Sequence, residues 1–353
     1  MSYLDNIRKV VPYTPGEQPK VEGEIIKLNT NEFPYPPSPM VKEALEALDQ
    51  DVLRLYPNVT AAPLAKAIAE YNGLSEDEVF VGVGSDDVLA NCFLTFFGSE
   101  KPILFPDVTY SFYDVWADLY KIPYERIPLN DDFEIVKEDY YKENGGVVIA
   151  NPNAPTGIGL ELREIEDIIV NNKDSVVIVD EAYVDFGGTS AKELIHKYDN
   201  LIVVQTFSKS RAAAGMRIGY AFGSKILIKY LNDVKFSINS YTMNQMAITS
   251  GIASVNDDKY FKETVTCVIK TREWSKEALV KLGFNVLSSK TNFLFVTHKE
   301  KQAKEIFEYL KTKNIFVRYF SKPERINNHL RITIGTDEQM KKLVAVLEEY
   351  FNN

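Results

Sequence analysis

Two side chains suited to covalent amine chemistry each follow an apolar run of the sequence. Asp180 comes directly after the run 176–179, Val-Val-Ile-Val, and Lys209 comes shortly after the run 201–204, Leu-Ile-Val-Val. Unbroken apolar runs are typical of strands that are covered on both faces of a parallel sheet, and ligands bind outside the carboxyl ends of such strands. The sequence therefore predicts a carboxylate and a primary amine at one edge of a sheet. For Asp180 alone, a helix N-cap or a structural ion pair is the alternative.

This pair of groups is what an enzyme that uses pyridoxal phosphate requires. A lysine carries that cofactor as a Schiff base, and a carboxylate keeps its pyridine nitrogen protonated. Ser208 precedes Lys209 and small residues follow at 212–215, which favours a tight, buried turn over a solvated surface lysine. Tyr183 could reach the phenolic oxygen of the cofactor or could simply pack in the core. Glu181 is predicted to be a solvated neighbour.

Polar groups that could hold the cofactor's phosphate lie at turns between strands and helices. The turn 84–86, Gly-Ser-Asp, precedes a predicted helix, whose first backbone N–H groups can bind an anion. Ser208 and Arg217 would add a hydroxyl and a guanidinium group. Tyr110, in a turn after a predicted strand, could stack on a flat ring. Helix capping within the turn 84–86 and a core position for Tyr110 are the alternatives.

The segment 151–157, Asn-Pro-Asn-Ala-Pro-Thr-Gly, follows the predicted strand 147–150. Its two prolines and its glycine are typical of a rigid loop. Because this loop leaves the sheet at the same edge as Asp180, we expect one of its amides to contact the cofactor. A plain turn is the alternative.

Composition and charge limit the classes of protein to which the chain can belong. It has 353 residues, 45% of them hydrophobic, and a formal net charge of −10. We expect a globular protein that binds neither nucleic acid nor membranes, so cations placed locally must hold any anionic ligand. The stretch 200–232 has no Asp or Glu and carries five cations that could hold such a ligand, Lys209, Arg211, Arg217, Lys225 and Lys229. For Lys225 and Lys229, a position on a solvated helix face is the alternative.

The sequence indicates neither a membrane segment nor a metal site. Residues 1–9 carry charges where a signal peptide would be apolar. No apolar run approaches the ~20 residues of a membrane span, so a cytoplasmic protein is expected. The three histidines, His196, His298 and His329, show no metal-ligand spacing, and the two cysteines indicate no disulfide framework.

The order of the predicted elements indicates an α/β fold in two lobes. From about residue 79 to residue 206, predicted strands alternate with predicted helices, which implies a mainly parallel central sheet with helices on both faces. After about residue 256, one long helix and several short strands indicate a smaller α+β lobe. We expect an N-terminal arm that packs with the small domain, a large cofactor-binding domain and a small C-terminal domain, comprising residues 1–30, 31–256 and 257–353.

Together these segments resemble the fold-type I aminotransferases, and more closely the histidinol-phosphate aminotransferase family. The similarity extends essentially from end to end of the chain. The segments that carry it are 28–32 (LNTNE), 54–57 (RLYP), 84–87 (GSDD), 151–157 (NPNAPTG), 180–183 (DEAY), 208–209 (SK), 215–217 (GMR), 317–318 (VR) and 330–335 (LRITIG).

The resemblance implies a role for each matching residue. Lys209 would form the Schiff base with pyridoxal 5′-phosphate, Asp180 would pair with the pyridine nitrogen, and Tyr183 would bond the phenolic oxygen. Such enzymes are homodimers that share their active sites, so Tyr56 would be donated to the cofactor by a second subunit. The same resemblance implies ring stacking by Tyr110, phosphate binding by Ser85, Asp86, Ser208 and Arg217, and substrate binding by Tyr13, Asn31, Arg318 and Arg331.

Two positions depart from the family's pattern. The family often has an Asn directly before Pro-Thr-Gly that bonds the phenolic oxygen, and this chain has Ala154 there. Either the neighbouring Asn153 replaces that contact or Tyr183 makes it alone. Arg211 stands where an apolar or aromatic residue is common.

The resemblance favours transamination between histidinol phosphate and 2-oxoglutarate, in histidine biosynthesis. Arg318 and Arg331 could bind either the phosphate of one substrate or the carboxylate of glutamate. An aromatic amino-acid aminotransferase and a pyridoxal-phosphate decarboxylase of a phosphorylated amino acid need the same groups and are alternatives. A non-catalytic binding or regulatory protein is a further alternative. The intact Lys209, Asp180 and Arg217 count against it.

Overall fold

The structure is a computed structural model that describes residues 2–18 and 23–352. In this part of the chain the backbone forms twelve strands and ten α-helices. The strands are β1 (Ile26–Leu28), β2 (Val79–Gly82), β3 (Ile103–Pro106), β4 (Tyr124–Ile127), β5 (Gly146–Ala150), β6 (Val177–Asp180), β7 (Leu201–Thr206), β8 (Gly219–Gly223), β9 (Phe284–Val286), β10 (Phe293–His298), β11 (Ile315–Tyr319) and β12 (Leu330–Thr333). The helices are α1 (Pro39–Glu46), α2 (Ala62–Asn72), α3 (Ser85–Phe96), α4 (Phe112–Tyr120), α5 (Leu162–Asn171), α6 (Lys225–Ile238), α7 (Gln245–Asn256), α8 (Asp258–Lys281), α9 (Ala303–Thr312) and α10 (Asp337–Asn352).

Seven strands form the large sheet, in the order β2-β8-β7-β6-β5-β3-β4. Strand β8 runs antiparallel to both of its neighbours, and the other pairs are parallel. The apolar runs are unbroken because both faces of the sheet are buried. In β6, Val177 and Val179 pack with α2, α5 and α7, whereas Ile178 packs on the opposite face with α3, α4 and α6. The predicted mainly parallel sheet with helices on both faces is confirmed.

The strand register places the candidate functional residues at one edge of this sheet. Asp180 is the last residue of β6 and lies beside Ala150 of β5 and Val204 of β7. The polypeptide leaves β5 into the loop 151–157 and leaves β7 into the turn that contains Lys209. The carboxyl ends of three parallel strands therefore deliver these groups to the same place.

Five strands form the small sheet, in the order β1-β11-β12-β10-β9. Strand β1 is parallel to β11, and the remaining pairs are antiparallel. A separate apolar cluster from this sheet and from α8, α9 and α10 fills the second lobe, as the predicted α+β architecture requires. Asp257 separates α7 from α8, where the sequence predicts the domain boundary, and the division into domains stays a prediction.

The structure contains four strands that the sequence analysis did not identify, β1, β4, β8 and β9. Strands β1 and β9 have only three residues each. Strand β4 lies at the sheet edge with Glu125 and Arg126 exposed, so it carries no apolar run. Strand β8, Gly-Tyr-Ala-Phe-Gly, begins and ends with glycine, which is depleted in strands. Within the described ranges, we find no helix with both the length and the apolar character that a bilayer crossing needs.

Candidate active site

A cavity of about 200 Å³ lies at the carboxyl edge of the large sheet, and both Lys209 and Asp180 line it. The two apolar runs that precede them therefore do bring the amine and the carboxylate together. The cavity is also lined by Thr30, Glu32, Ser85, Asp86, Tyr110, Ala150, Pro152, Ala154, Ala182, Tyr183, Ser208, Ala214 and Arg217.

The carboxylate of Asp180 is buried and held by two hydrogen bonds. The Tyr113 hydroxyl donates to Oδ2 at 2.8 Å, and the backbone N–H of Ala182 donates to Oδ1 at 3.2 Å. Burial raises the pKa of Asp180 from its ordinary 3.8 to about 6, although the bond from Tyr113 opposes this change. No Lys, Arg or His in the described part of the chain forms an ion pair with it. A cationic ligand group would relieve this desolvation.

Lys209 and Tyr183 line the same cavity as Asp180. The Nζ atom of Lys209 is 5.7 Å from the centre of the Tyr183 ring. The Tyr183 ring makes an edge-on contact with Phe293, and its hydroxyl accepts a hydrogen bond of 2.8 Å from Nδ2 of Asn31. The Asn31 bond uses a lone pair of the hydroxyl oxygen, and this leaves the Tyr183 proton available to an acceptor in the cavity.

The first turn of α3 and the Arg217 side chain form an anion-binding corner of the cavity. Gly84, directly before the helix, has a φ of +86°, and a Cβ atom there would collide with the Arg217 guanidinium group. Arg217 Nη1 donates to the Ser208 hydroxyl at 3.4 Å, and Ser85 is the first helical residue. A helix N-terminus, a hydroxyl and a guanidinium group together suit a phosphate.

Asp86 contributes to this corner in a more limited way than the resemblance implies. Its carboxylate accepts a hydrogen bond of 2.8 Å from the Tyr110 hydroxyl and lies 3.7 Å from Arg217 Nη2. A carboxylate would repel a phosphate, so Asp86 can bind one only through its backbone N–H. Burial, reinforced by the charge of Asp86, raises the pKa of Tyr110 well above its ordinary value.

A second cavity of about 180 Å³ adjoins the first and shares Tyr110, Tyr183 and Lys209 with it. Arg318 and Arg331 line it and are paired residues on β11 and β12. Neither guanidinium group has a carboxylate partner in the described ranges, and Nε of Arg331 is buried without a hydrogen bond. Burial lowers the pKa of Arg331 because the charged group loses hydration. Two unpaired cations beside Lys209 form a site for an anion.

Tyr13 and Asn31 also line the second cavity. The Tyr13 ring stacks on Phe112 with a centroid distance of 4.1 Å, and this contact holds the N-terminal arm across the site. Asn31 is 1% exposed, and its amide is already bonded to other residues.

Two predicted cofactor ligands are not brought to the cavity. Asn153 is buried, but its amide bonds the Thr109 hydroxyl, the Val108 carbonyl and the Thr156 hydroxyl, and it lines neither cavity. Tyr56 is 82% exposed and lies against Tyr241, outside both cavities. That position is compatible with the prediction that Tyr56 acts in a second subunit.

The cation-rich stretch 200–232 does not form one site. Lys225 pairs with Asp77, and Lys229 pairs with Asp233 on the surface, which is the solvated-face alternative. Arg211 is buried away from the cavity, where Nη1 donates to the Ser254 carbonyl at 2.6 Å and the guanidinium group lies 4.2 Å from the Phe261 ring. Of the five cations, only Lys209 and Arg217 line the cavity.

The prediction that Glu181 is solvated is wrong. Its side chain is 1% exposed and accepts hydrogen bonds from the Ser190 hydroxyl, the Ala191 N–H and the Gln205 amide. Burial raises its pKa from 4.5 to about 7. Tyr113, which bonds Asp180, was not predicted either, since no local pattern distinguishes this core tyrosine from its neighbours. In the described ranges no cluster of His, Cys, Asp and Glu could hold a metal ion.

Comparisons of the whole sequence with known proteins identify its relatives. The family model "Aminotransferase class I and II" matches residues 23–347. The histidinol-phosphate aminotransferase of Lactococcus lactis subsp. cremoris is 52% identical over 353 residues, which is 100% of this chain and 99% of that protein. The histidinol-phosphate aminotransferase of Acinetobacter baylyi is 53% identical over 349 residues, 98% of this chain and 96% of that protein.

A solved structure has the same fold. The histidinol-phosphate aminotransferase of Sinorhizobium meliloti, in complex with pyridoxal-5′-phosphate, superposes with a TM-score of 0.85 and 23% identity over 93% of this chain and 92% of that chain. The family model and these relatives show that the chain belongs to the class I and II aminotransferases.

Proposed function

We propose that this aminotransferase exchanges the amino group of histidinol phosphate with 2-oxoglutarate, as a step of histidine biosynthesis. The observation that carries the proposal is the pair Arg318 and Arg331, two guanidinium groups without carboxylate partners beside Lys209. Relatives that are about half identical over the whole chain, and that are named for this substrate, support it.

Class I and II aminotransferases use pyridoxal phosphate, and the donors of the first cavity suit that cofactor. The corner formed by Ser85, Ser208 and Arg217 matches a phosphate, and the buried carboxylate of Asp180 matches a protonated ring nitrogen. When bound, the cofactor supplies an electron sink for the bond that breaks at Cα of the substrate.

The residues of the chain then have separate tasks. Lys209 would hold the cofactor and, once the substrate amine displaces it, would take the proton from Cα of the substrate. Asp180 would keep a proton on the ring nitrogen, and Tyr113 would fix the orientation of that carboxylate. Tyr183 would donate a hydrogen bond to the phenolic oxygen.

The second cavity would bind the anionic end of each substrate in turn. Arg318 and Arg331 can each form a bidentate pair with phosphate or carboxylate oxygens, so one pocket accepts the phosphate of histidinol phosphate and a carboxylate of 2-oxoglutarate. Tyr13 would cover the bound substrate, because its stacking on Phe112 places it over the same cavity.

We also propose a homodimer in which Tyr56 completes the phosphate site of the partner subunit. Its 82% exposure and its neighbour Tyr241 place two tyrosines together on the surface, as a subunit contact requires. The cytoplasmic location stays a prediction.

Steady-state rates test the substrate assignment. We expect the purified, cofactor-loaded protein to show a larger kcat/KM with histidinol phosphate than with phenylalanine when 2-oxoglutarate is the acceptor. A larger value with phenylalanine would favour an aromatic amino-acid aminotransferase. Release of carbon dioxide from threonine phosphate would favour a decarboxylase. A cofactor-loaded protein whose absorbance no amine substrate changes would favour a binding protein.

A further inference from the structure

Four polar atoms of Asn31 form hydrogen bonds within the protein, although this residue lies beside the cofactor cavity. It adopts a left-handed conformation, with a φ of +56°. Its backbone N–H donates to the Thr333 hydroxyl at 3.0 Å, and its backbone carbonyl accepts from Nδ2 of Asn292 at 3.0 Å. In its side chain, Oδ1 accepts from the Thr333 hydroxyl at 3.0 Å, and Nδ2 donates to the Tyr183 hydroxyl at 2.8 Å.

The Thr333 hydroxyl fixes which way the Asn31 amide faces. A threonine hydroxyl has one proton. This oxygen accepts the backbone N–H of Asn31 and gives its own proton to Oδ1, so the NH₂ group is turned toward Tyr183. The tyrosine oxygen thus receives a hydrogen bond, and its own proton is free to point elsewhere.

The small sheet holds the residues that fix Asn31. Thr333 is the last residue of β12 and is paired with Phe293 of β10, and Asn292 comes directly before that strand. The backbone N–H of Ile334 donates to the Asn292 carbonyl at 2.8 Å. Asn292 and Thr333 are 0% and 2% exposed, so neither side chain can move without disturbing the packing around it.

We propose that Asn31, held by Thr333 and Asn292, is a positioning residue that directs the proton of the Tyr183 hydroxyl into the cofactor cavity. The inference rests on the proposed function. It replaces the substrate-binding role that the resemblance implies for Asn31. Ala154, which lines the same cavity, has no polar side-chain atom to offer the cofactor, and this makes the direction of the Tyr183 proton more important.

The test uses the visible absorbance of the pyridoxal-phosphate-loaded protein, titrated with pH in the absence of substrate. In Asn31→Asp the new carboxylate accepts the Tyr183 proton and withdraws it from the cavity. A hydrogen bond to the cofactor's anionic oxygen favours the deprotonated chromophore, so we expect its apparent pKa to rise by about one pH unit in this variant. The charged groups around this chromophore, which the variant leaves in place, are Glu32, Asp86, Asp180, Lys209, Arg217, Arg318 and Arg331.

A double-mutant cycle separates positioning from general disturbance of the site. The added charge of Asn31→Asp acts on the chromophore in any background, so if Asn31 also acts through Tyr183, the shift should be clearly smaller in a Tyr183→Phe background. Thr333→Val should raise the apparent pKa in the same direction, because the amide loses its fixed orientation. Thr333→Ser is the matched control, since it keeps the hydroxyl, and it should titrate like the unmodified protein.

An unchanged titration in Asn31→Asp, or a shift of the same size in the Tyr183→Phe background, would overturn the inference. If Asn31→Asp does not fold, equal titrations of Thr333→Val and Thr333→Ser would overturn it. Absence of a visible band from the unmodified protein would overturn the proposed function as well, whereas a normal band without these shifts overturns the inference alone.

Discussion

At the scale of single residues, this site depends on buried groups whose partners are far apart in the sequence. The positions of Asp180 and Lys209 could be predicted, because each follows an apolar strand in the local sequence. The bond between Asn31 and Tyr183 could not, since these residues are 152 positions apart and meet only when both sheets have formed. Burial of Glu181 was missed for the same reason: its partners Ser190 and Gln205 come from other segments.

The raised pKa of Asp180 has a consequence for the stability of the cofactor-free protein. Its folded-state value of about 6 exceeds the ordinary 3.8, so the folded protein keeps a proton that the unfolded protein releases. Stability is therefore lost as the pH rises through this interval, and Asp180→Asn has no such proton to lose. Relative to this variant, the free energy of unfolding of the unmodified protein should fall by about 3 kcal/mol between about pH 3 and pH 7.

Urea unfolding of the two cofactor-free proteins at several pH values checks this prediction. A difference in unfolding free energy that stays constant across the interval would show that burial does not perturb Asp180 in the way described.

At the scale of elements, the central strands were predictable and the edges were not. Strands β5, β6 and β7 are covered by helices on both faces, so their apolar runs identify them in the sequence. Strand β4 at the sheet edge and the glycine-bounded β8 carry no such signal. Their place depends on pairing with strands elsewhere in the chain.

The close approach of Arg217 to the first turn of α3 requires a residue without Cβ at position 84. Gly84→Ala would place a methyl group against the guanidinium group at a φ of +86°. We expect pyridoxal phosphate to bind this variant at least about tenfold more weakly, because the anion-binding corner is displaced. Gly98→Ala is the control, since a Cβ there meets no atom within 4 Å, and equal affinities of the two variants would contradict the prediction.

The buried Arg211 connects the turn after Lys209 to the last turn of α7, through the Ser254 carbonyl, and to the first turn of α8, through the Phe261 ring. Arg211→Ala should lower the free energy of unfolding by about 3 kcal/mol, because it removes a buried charged hydrogen bond and its packing. The exposed Arg163 of α5 is the control. Arg163→Ala should change the free energy of unfolding by no more than about 0.5 kcal/mol. Similar losses in chemical denaturation of both variants would refute the anchoring role.

At the scale of the whole molecule, the two lobes could be predicted from the order of the elements, but the association of subunits could not. The change from alternating strands and helices to short strands after residue 256 predicts the second lobe. The strand β1 belongs to that lobe although it lies near the N-terminus, and its three residues give no signal of the pairing with β11. The sequence of one chain carries no local signal that Tyr56 belongs to the active site of a second subunit.

Mixed dimers test whether Tyr56 acts across subunits. Lys209→Ala and Tyr56→Ala should each be nearly inactive as pure proteins. A refolded equal mixture should regain about a quarter of the unmodified activity, because half of the dimers combine one intact Lys209 with one intact Tyr56 at a single site. A mixture no more active than the mean of the two variants would mean that Tyr56 does not act in the partner's site.

Chemical trapping of the cofactor on the protein shows which side chain carries it. Borohydride reduces an imine to a stable secondary amine, so mass mapping of the reduced, pyridoxal-phosphate-loaded protein identifies the attached residue. We predict the pyridoxyl phosphate group on Lys209, and its loss from that residue when histidinol phosphate is added before reduction. Attachment to another lysine, such as the buried Lys235, or to none, would mean that Lys209 does not carry the cofactor.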